Sequence, residues 1–403
     1  MSDEGYVSGR CVVLGVCGSI AIYKACELVR LLTAQGCDVR VIMTKSATEL
    51  VTPRTFATLT RNPVAVDPFH DPVPEEIEHI ALADRADAIL IAPATANTMA
   101  KLASGTCDDM LTTTVCASAA PVVLAPAMNP RMWHHAATTR NTEMLLRFGY
   151  VIVEPGTGEV ACGHIGQGRL APPDVILSHV ERVLAPKPLA GVRFLVTTGA
   201  TRESVDPLRF VTNRSSGKMG FALAYEAWLA GASVTCVTGA VTVEPPYGPE
   251  IVSVETAVEM YSVVMDRIGS EDVYAGAAAV ADFAPREVAP SKLKKAGRPE
   301  LTLTLVPTRD ILEAVCHSPD RPRLVLGFAA ETERIEERGC EKLRSKGCDL
   351  VVANKVGPGG VMGADDTDAL LIGPEGVRDR YVGHKREVAR RLVSEIAGML
   401  VGT

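Results

Sequence analysis

The sequence predicts an α/β protein built from two tandem Rossmann-like, doubly wound domains with mostly parallel sheets. Three observations predict it. Continuous aliphatic runs such as "CVVLGVC", "AILIAPA", "PVVLAPA" and "DLVVANK" suit strands covered on both faces. Helical patterns separate these runs and complete βαβ units. After "LAPKPLAGVR", residues 184–193, where two prolines and a glycine read as a linker, the pattern starts again. The expected domains are residues 1–185 and 186–403.

In the first half, "CVVLGVC" reads as a strand, followed by Gly18, Ser19 and a helix through Leu32. "VRVIM", "AILIAPA", "PVVLAPA" and "YVIVEP" supply further strands. In the second half, "VRFLVTTG" is a strand, residues 217–230 a helix and "ASVTCVTG" the next strand. "DVYAGAAAVAD", with its strand ending at Asp282, "RLVLGFAAE" and "DLVVANK" come later, and a closing helix covers roughly residues 383–400.

Composition narrows the function. A chain of 403 residues suits two or three domains. Hydrophobic residues make up 47% and aromatics 4%, so the cores are aliphatic. A net charge of −7 argues against a nucleic-acid partner, which needs a basic footprint. The polar start "MSDEGYVSGR" is no signal peptide, and no apolar run reaches the roughly 18 residues of a membrane helix. A cytoplasmic protein without a membrane partner is expected. The eleven cysteines show no CxxC, and those in strand-like runs, Cys11, Cys17 and Cys236, read as reduced core thiols.

Ligands of doubly wound sheets bind at the carboxyl ends of the strands, so the ends of the runs hold the candidate residues. "VLGVCGSIAIYK" places Gly18 and Ser19 where backbone N–H groups can hold a phosphate. It lacks a full GxGxxG and a distant acidic partner, which disfavours a nicotinamide dinucleotide and suits a mononucleotide. Thr44, just past "VRVIM", joins the cofactor-binding candidates. In "APATANTMAKLASG", Thr95 and Asn97 either bond a ring or ribityl chain, or form a loop with Asn97 as helix cap. In "APAMNPRMW", Met128 and Asn129 stand at a ligand edge. Asn129 can donate to a carboxylate and accept from an amide at once, or can simply start a helix in an Asn-Pro turn. His79, at the start of a helix in "EEIEHIALAD", reads as a general base or as a surface or capping residue. Cys162 lies in the glycine-rich "GEVACGHIGQGRLAPPD", where a thiol has no core to fill. A metal ligand, a nucleophile and an acid are open roles for it, as is no role at all.

The second half offers cations and small residues. In "DPLRFVTNRSSGKMGFALA", Ser215, Ser216, Gly217 and Lys218 form either a phosphate cradle at a helix N-terminus or a capped helix with a solvated lysine. It is not a Walker P-loop, because the leading glycine is absent. "APSKLKK" carries Lys292 in a flexible basic run, and "EKLRSKGCD" sets Lys342 and Lys346 on one helix face. These clusters could gather the charges of a nucleotide triphosphate and a phosphorylated substrate, or be solvated surface.

The motifs in order carry a resemblance. "PATANT" and "PAMNPRMW" resemble the PASANT and PxMNxxMW motifs of the homo-oligomeric flavin-containing cysteine decarboxylases, with His79 before both and Cys162 after. That family implies FMN at a trimer interface and decarboxylation of a C-terminal or amide-linked cysteine. The flavin takes a hydride from the carbon beside sulfur, and the resulting thioaldehyde lets the carboxylate leave as carbon dioxide. "ACGHIGQGR" resembles the substrate loop of the branch that forms a saturated thiol, with Cys162 as the proton donor. A thiol with a reference pKa of about 8.5 can serve in that role. His164 stands where related sequences often have an acidic residue, and the sequence assigns it no role. A Cys162/His164 metal site lacks further ligands at metal spacing.

From about residue 190 onwards, "TNRSSGKMG", "AAVADF", "SKLKK", "GFAAET" and "DLVVANK" resemble phosphopantothenate–cysteine ligase. The fusion of the two resembles the bifunctional enzymes of coenzyme A biosynthesis. The resemblance implies phosphopantothenate, L-cysteine and CTP as substrates, an acyl-cytidylate intermediate and Mg²⁺, for which no protein ligand is evident. It makes Lys292 the support of acyl-cytidylate formation and Asn213 the residue that handles its attack by cysteine. It sets Ala278, Ala279, Asp282 and Phe328 against the nucleotide and Lys342 and Lys346 against phosphates. Trimeric flavin domains and dimeric ligase domains imply a closed homo-oligomer such as a dodecamer. A flavin prenyltransferase, a non-catalytic regulatory subunit and an NAD(P) dehydrogenase are the weaker alternatives.

Overall fold

The computed structural model describes residues 5–67, 77–160, 163–294, 300–356 and 363–401. It divides into two compact units, Met1–Ala185 and Pro186–Thr403.

In the first unit β1 (Cys11–Val16), β2 (Asp38–Met43), β3 (Val64–Ala65), β4 (Ala88–Ala94), β5 (Val122–Pro126) and β6 (Val151–Ile152) form a parallel sheet in the order β3-β2-β1-β4-β5-β6. Every residue of β4 is buried, the signature of a strand with both faces covered. In helix Ile22–Ala34 the residues Ile22, Ala25, Leu28, Val29 and Leu32 recur at helical spacing and are buried against one face of the sheet. Met99, Leu102, Met110, Leu111 and Leu145 cover the other face. A short antiparallel hairpin, β7 (Gly156–Glu159) and β8 (Ile165–Arg169), follows the sheet. Helix Pro173–Leu184 then ends the unit.

The second unit repeats the plan. It contains β9 (Arg193–Thr198), β10 (Arg202–Asp206), β11 (Arg209–Thr212), β12 (Ser233–Thr238), β13 (Glu250–Ser253) and β14 (Val273–Gly276). These are followed by β15 (Phe283–Pro285), β16 (Leu305–Pro307), β17 (Leu324–Glu331), β18 (Leu350–Lys355), β19 (Asp366–Gly373) and β20 (Gly376–His384). The main sheet runs β13-β12-β9-β14-β17-β18-β19-β20. Its first six strands are parallel, and β19 and β20 join antiparallel at one edge. Pairs β10–β11 and β15–β16 form separate two-stranded ribbons.

One expected boundary moves. Strand β14 stops at Gly276, so Asp282 does not end it. From Ala277 on, the chain bonds across to the β9 turn, with Ala279 N–H donating to Gly199 C=O at 2.8 Å and Ala281 N–H to Thr201 Oγ1 at 2.9 Å. Ala277 N–H still donates to Thr197 C=O at 3.1 Å and Ala279 pairs with Ala200 in an isolated parallel bridge, so the chain runs on past the strand end as a shelf. Cys17 and Cys236 are buried, and burial pushes their thiols up to about 11 and about 12, as core thiols behave. No described helix is long and apolar enough to cross a membrane.

Candidate active sites

The first unit's strand order reverses between β1 and β4, and a cavity of about 1070 Å³ opens at their carboxyl ends. Gly18, Ser19, Thr44, Thr95, Asn97, Met128 and Asn129 all line it. The turn after β1 is held by Ser19, whose hydroxyl donates to Ala127 C=O at 3.1 Å. A Cβ at position 18 would fall 2.5 Å from Ser46 Oγ and 2.6 Å from Ser46 Cβ, so glycine alone lets the two loops meet. Helix Ile22–Ala34 begins at this turn, and its N-cap Ala21 has no side chain to bond the first N–H groups. Such an end, beside the Ser19 and Thr44 hydroxyls, fits a phosphate.

Thr95, not Asn97, caps the next helix: its Oγ1 accepts from Thr98 N–H at 3.3 Å. Asn97 is thereby displaced into the first turn, where its side chain lines the cavity. Asn129 does cap its short helix, accepting from Arg131 N–H at 2.9 Å, and its amide nitrogen lies 3.0 Å from His164 Nδ1. His79 begins helix Glu78–Arg85 but does not line this cavity, and its Nδ1 is buried with no hydrogen-bond partner among the described residues. Cys162 lies outside the described residues. The sequence reading missed Lys101, which also lines the cavity and bridges Asp108 and Asp109 at 2.6 and 2.7 Å. Its bonds to Asp108 and then Asp109 raise its pKa.

In the second unit the order reverses between β9 and β14, and a cavity of about 600 Å³ opens there. Asn213, Ser215, Ser216, Gly217, Lys218, Ala278, Ala279, Asp282, Phe328 and Lys342 line it. Gly217 takes a left-handed φ of 80° as N-cap of helix Lys218–Leu229, and Thr198 Oγ1 donates to its carbonyl at 2.9 Å. Asn213 Nδ2 donates to Val280 C=O at 2.9 Å, tying the residue to the shelf that carries Ala278 and Ala279. Lys342 Nζ donates to Phe328 C=O at 2.6 Å.

Two expected lysines stand elsewhere. Lys346 does not line the cavity: its ammonium bonds Asp310 at 2.9 Å and Glu313 at 2.6 Å. Lys342 and Lys346 share a helix face, but the carboxylates of helix Ile311–Cys316 capture the second. Lys292 is exposed and also outside the lining. Its neighbour Leu293 is clasped to the β10–β11 ribbon, with N–H donating to Asp206 Oδ2 at 3.1 Å and C=O accepting from Arg209 at 3.0 Å. Asp206 is held below the usual carboxylate range by the N–H of Leu208 first, then by Leu293 and Arg209.

The structure also brings in Lys385, which sequence reasoning missed because it begins the closing helix, 167 positions after Lys218 (385 less 218). It lines the same cavity, donates to Ala364 C=O and has its pKa lowered by burial and by Lys218. Lys218 itself pairs with Asp365 at 2.6 Å. No group of three or more His, Cys, Asp or Glu among the described residues could hold a metal ion.

Residues 2–185 match the model of the family described as Flavoprotein, and residues 189–400 match that of the DNA/pantothenate metabolism flavoprotein C-terminal domain. The coenzyme A biosynthesis bifunctional protein CoaBC of Bacillus subtilis (strain 168) is 42% identical, covering 98% of each chain. Its counterpart from Mycobacterium tuberculosis (strain CDC 1551 / Oshkosh) is 40% identical over 97% of each chain. The chain belongs to the coenzyme A biosynthesis bifunctional protein family. A crystal structure of a C-terminal domain of such a protein is 35% identical and covers 54% of this chain and 100% of that one, with a TM-score of 0.46. As a member of the family, the chain is an enzyme of coenzyme A biosynthesis with phosphopantothenoylcysteine decarboxylase and phosphopantothenate–cysteine ligase activities.

Proposed function

We propose that the second unit joins phosphopantothenate to L-cysteine using CTP, and that the first decarboxylates the product with FMN to give phosphopantetheine. The observation that carries this reading is the sorting of the motif residues. The first unit's cofactor candidates and Asn129 line one cavity; Asn213 and the Ser215–Lys218 segment line the other.

In the ligase step the substrate carboxylate attacks the α-phosphate of CTP, forming an acyl-cytidylate and releasing pyrophosphate. The cysteine amine then attacks the acyl carbon and CMP leaves. Ser215, Ser216, Gly217 and Lys218 bind phosphate at the start of helix Lys218–Leu229, and Lys342 adds a cation. Ala278, Ala279, Asp282 and Phe328 bound the nucleotide. Lys292, outside the cavity of its own chain, offsets the charge that develops as the carboxylate attacks by reaching the site of a neighbouring copy in the ligase dimer. Asn213, held by Val280, orients the acyl-cytidylate for the amine. Mg²⁺ would ride on the triphosphate. Lys346, bonded to Asp310 and Glu313, acts through helix Ile311–Cys316 rather than on phosphate.

In the decarboxylase step Gly18, Ser19, Thr44, Thr95, Asn97 and Met128 hold FMN. Their fit rests on a helix start that has no side-chain cap and on the space that Gly18 leaves beside Ser46. Bound there, FMN supplies a hydride acceptor and, later, the hydride donor. Asn129 binds the substrate's carboxylate–amide end. Cys162 delivers the proton that completes the saturated thiol. His79 serves as base, completing the cavity of a neighbouring copy in a trimer of flavin units. The ligase units pair as dimers, giving a closed assembly such as a dodecamer.

The test is nucleotide and cofactor identity. Purified full-length protein should release FMN on denaturation, identified by mass. With phosphopantothenate, L-cysteine and Mg²⁺, it should form CMP and pyrophosphate in equal amounts from CTP. Faster turnover with ATP, or a different extracted flavin, would contradict the respective assignment.

A further inference from the structure

The hairpin β7–β8 lies against the segment that carries Asn129, and the contact has a pattern. Gly168 is the extra, unpaired residue of a bulge between Gln167 and Arg169, and both it and Gly166 face residues 128–130. A Cβ on Gly166 would fall 3.0 Å from Pro130 Cβ, and one on Gly168 would fall 2.3 Å from Met128 C=O. Met128 N–H donates to Gly168 C=O at 2.9 Å. Two glycines thus let the strand settle onto residues 128–130 with no side chain between. Two residues before Gly166 stands His164, whose carbonyl accepts from Val160 N–H at 2.9 Å. Its imidazole Nδ1 stands 3.0 Å from Asn129 Nδ2.

An amide nitrogen can only donate, so Nδ1 must accept. That requires a neutral ring carrying its proton on Nε2. At the other end of the carboxamide, Asn129 Oδ1 accepts from Arg131 N–H at 2.9 Å. A half-turn of the carboxamide would set N–H against N–H at Arg131 and remove the donor from His164. Both bonds therefore select one orientation.

We propose that His164 is a positioning residue for decarboxylation: by accepting from Asn129, it fixes which edge of that carboxamide donates and which accepts when the acyl-cysteine binds. The proposal rests on the reading that Asn129 binds the carboxylate–amide end of that substrate. Without the imidazole the Nδ2 edge loses an acceptor that holds it, and substrate binding must restrict a side chain that the folded protein otherwise holds ready.

The test uses the full-length, flavin-loaded chain and synthetic phosphopantothenoylcysteine, with ligase turnover of the same preparations as the folding control. His164→Leu removes the acceptor. His164→Asn retains one, because an asparagine Oδ1 occupies nearly the position of a histidine Nδ1. Loss of one hydrogen bond is expected to raise KM about fivefold in His164→Leu, with kcat within about twofold of the parent. His164→Asn should return KM to within about twofold of the parent. In an Asn129→Ala background, His164→Leu should cost nothing further, because the group it positions is gone. An unchanged KM in His164→Leu, beside a raised KM in Asn129→Ala, would overturn the positioning role and leave the Asn129 reading intact. An equal penalty from His164→Leu in both backgrounds would also overturn it, by showing that His164 acts independently. An unchanged KM in Asn129→Ala would overturn the Asn129 reading and this proposal with it.

Discussion

The two units share a strand order and differ in what they hang on it. In the first the order is β3-β2-β1-β4-β5-β6, and in the second β13-β12-β9-β14-β17-β18, followed by the antiparallel β19 and β20. Each opens its cavity where the order reverses, at β1/β4 and at β9/β14. The first cavity, about 1070 Å³, sets Gly18, Ser19, Thr95, Asn97 and Met128 beside charged residues that include Lys24, Lys101, Asp108 and Asp109. The second, about 600 Å³, is ringed by Lys218, Lys342, Lys385, Asp282 and Asp310. The topology supplies a place for a ligand, and the loops leaving it supply the chemistry. Both cavities carry charge, and they differ in how the lysines are held: Lys101 in the first bridges two carboxylates, whereas Lys342 and Lys385 in the second donate to backbone carbonyls.

Substitutions can break that comparison one unit at a time. The largest effect is expected from Cys162→Ser. Carbon dioxide should still be released, but the product should stop at the oxidised ene-thiol with reduced flavin, and ligase turnover should be intact. Mass spectrometry showing normal phosphopantetheine would remove the acid role. Next comes Asn213→Asp, which replaces the donor to Val280 C=O with a carboxylate facing that carbonyl. CTP should still be consumed, acyl-cytidylate should accumulate and amide formation should slow roughly hundredfold. Rapid amide formation in a quenched-flow assay would contradict the assignment.

Gly18→Ala sharpens the comparison from the other side. A Cβ there meets Ser46 at 2.5 Å, so the cradle must shift. Overpacking of this size should weaken FMN binding about tenfold or more, read by titrating flavin into the stripped protein. Ligase activity should not change, and full flavin retention would mean that the turn does not hold the phosphate. The smallest effects should separate the two lysines of one helix. Lys342→Ala should raise KM for CTP about tenfold or more, as expected for a lost charged hydrogen bond. Lys346→Ala should change it less than about threefold, because its pairs with Asp310 and Glu313 are partly exposed. Equal effects on KM would restore Lys346 to the phosphate site.

The sheets were legible because buried parallel strands read as aliphatic runs, and the turns after β1 and β9 because glycine and hydroxyl residues mark them. The ribbons were not. Strand β7 is "GTGE" and β8 is "IGQGR", paired through backbone groups with no apolar pattern to announce them. Strand β20, "GVRDRYVGH", has one buried residue, Tyr381, and reads as surface. Asn97 was read as a cap because asparagine favours that position, yet Thr95 takes it, and the local sequence offers both. Pairings across long separations, Lys218 with Asp365 and Asn129 with His164, needed coordinates. Lys346 shows the converse: helical spacing put it beside Lys342, and only the neighbouring helix revealed that its charge was already engaged.

The division of labour between the units is tested most directly by one time course. Full-length protein is incubated with phosphopantothenate, L-cysteine, CTP and Mg²⁺, and all species are followed by mass spectrometry. The expected result is transient phosphopantothenoylcysteine followed by phosphopantetheine, with one CMP and one pyrophosphate per product. Phosphopantothenoylcysteine persisting as the end product in yellow, FMN-containing protein would contradict the role given to the first cavity, and CTP left unconsumed would contradict the role given to the second.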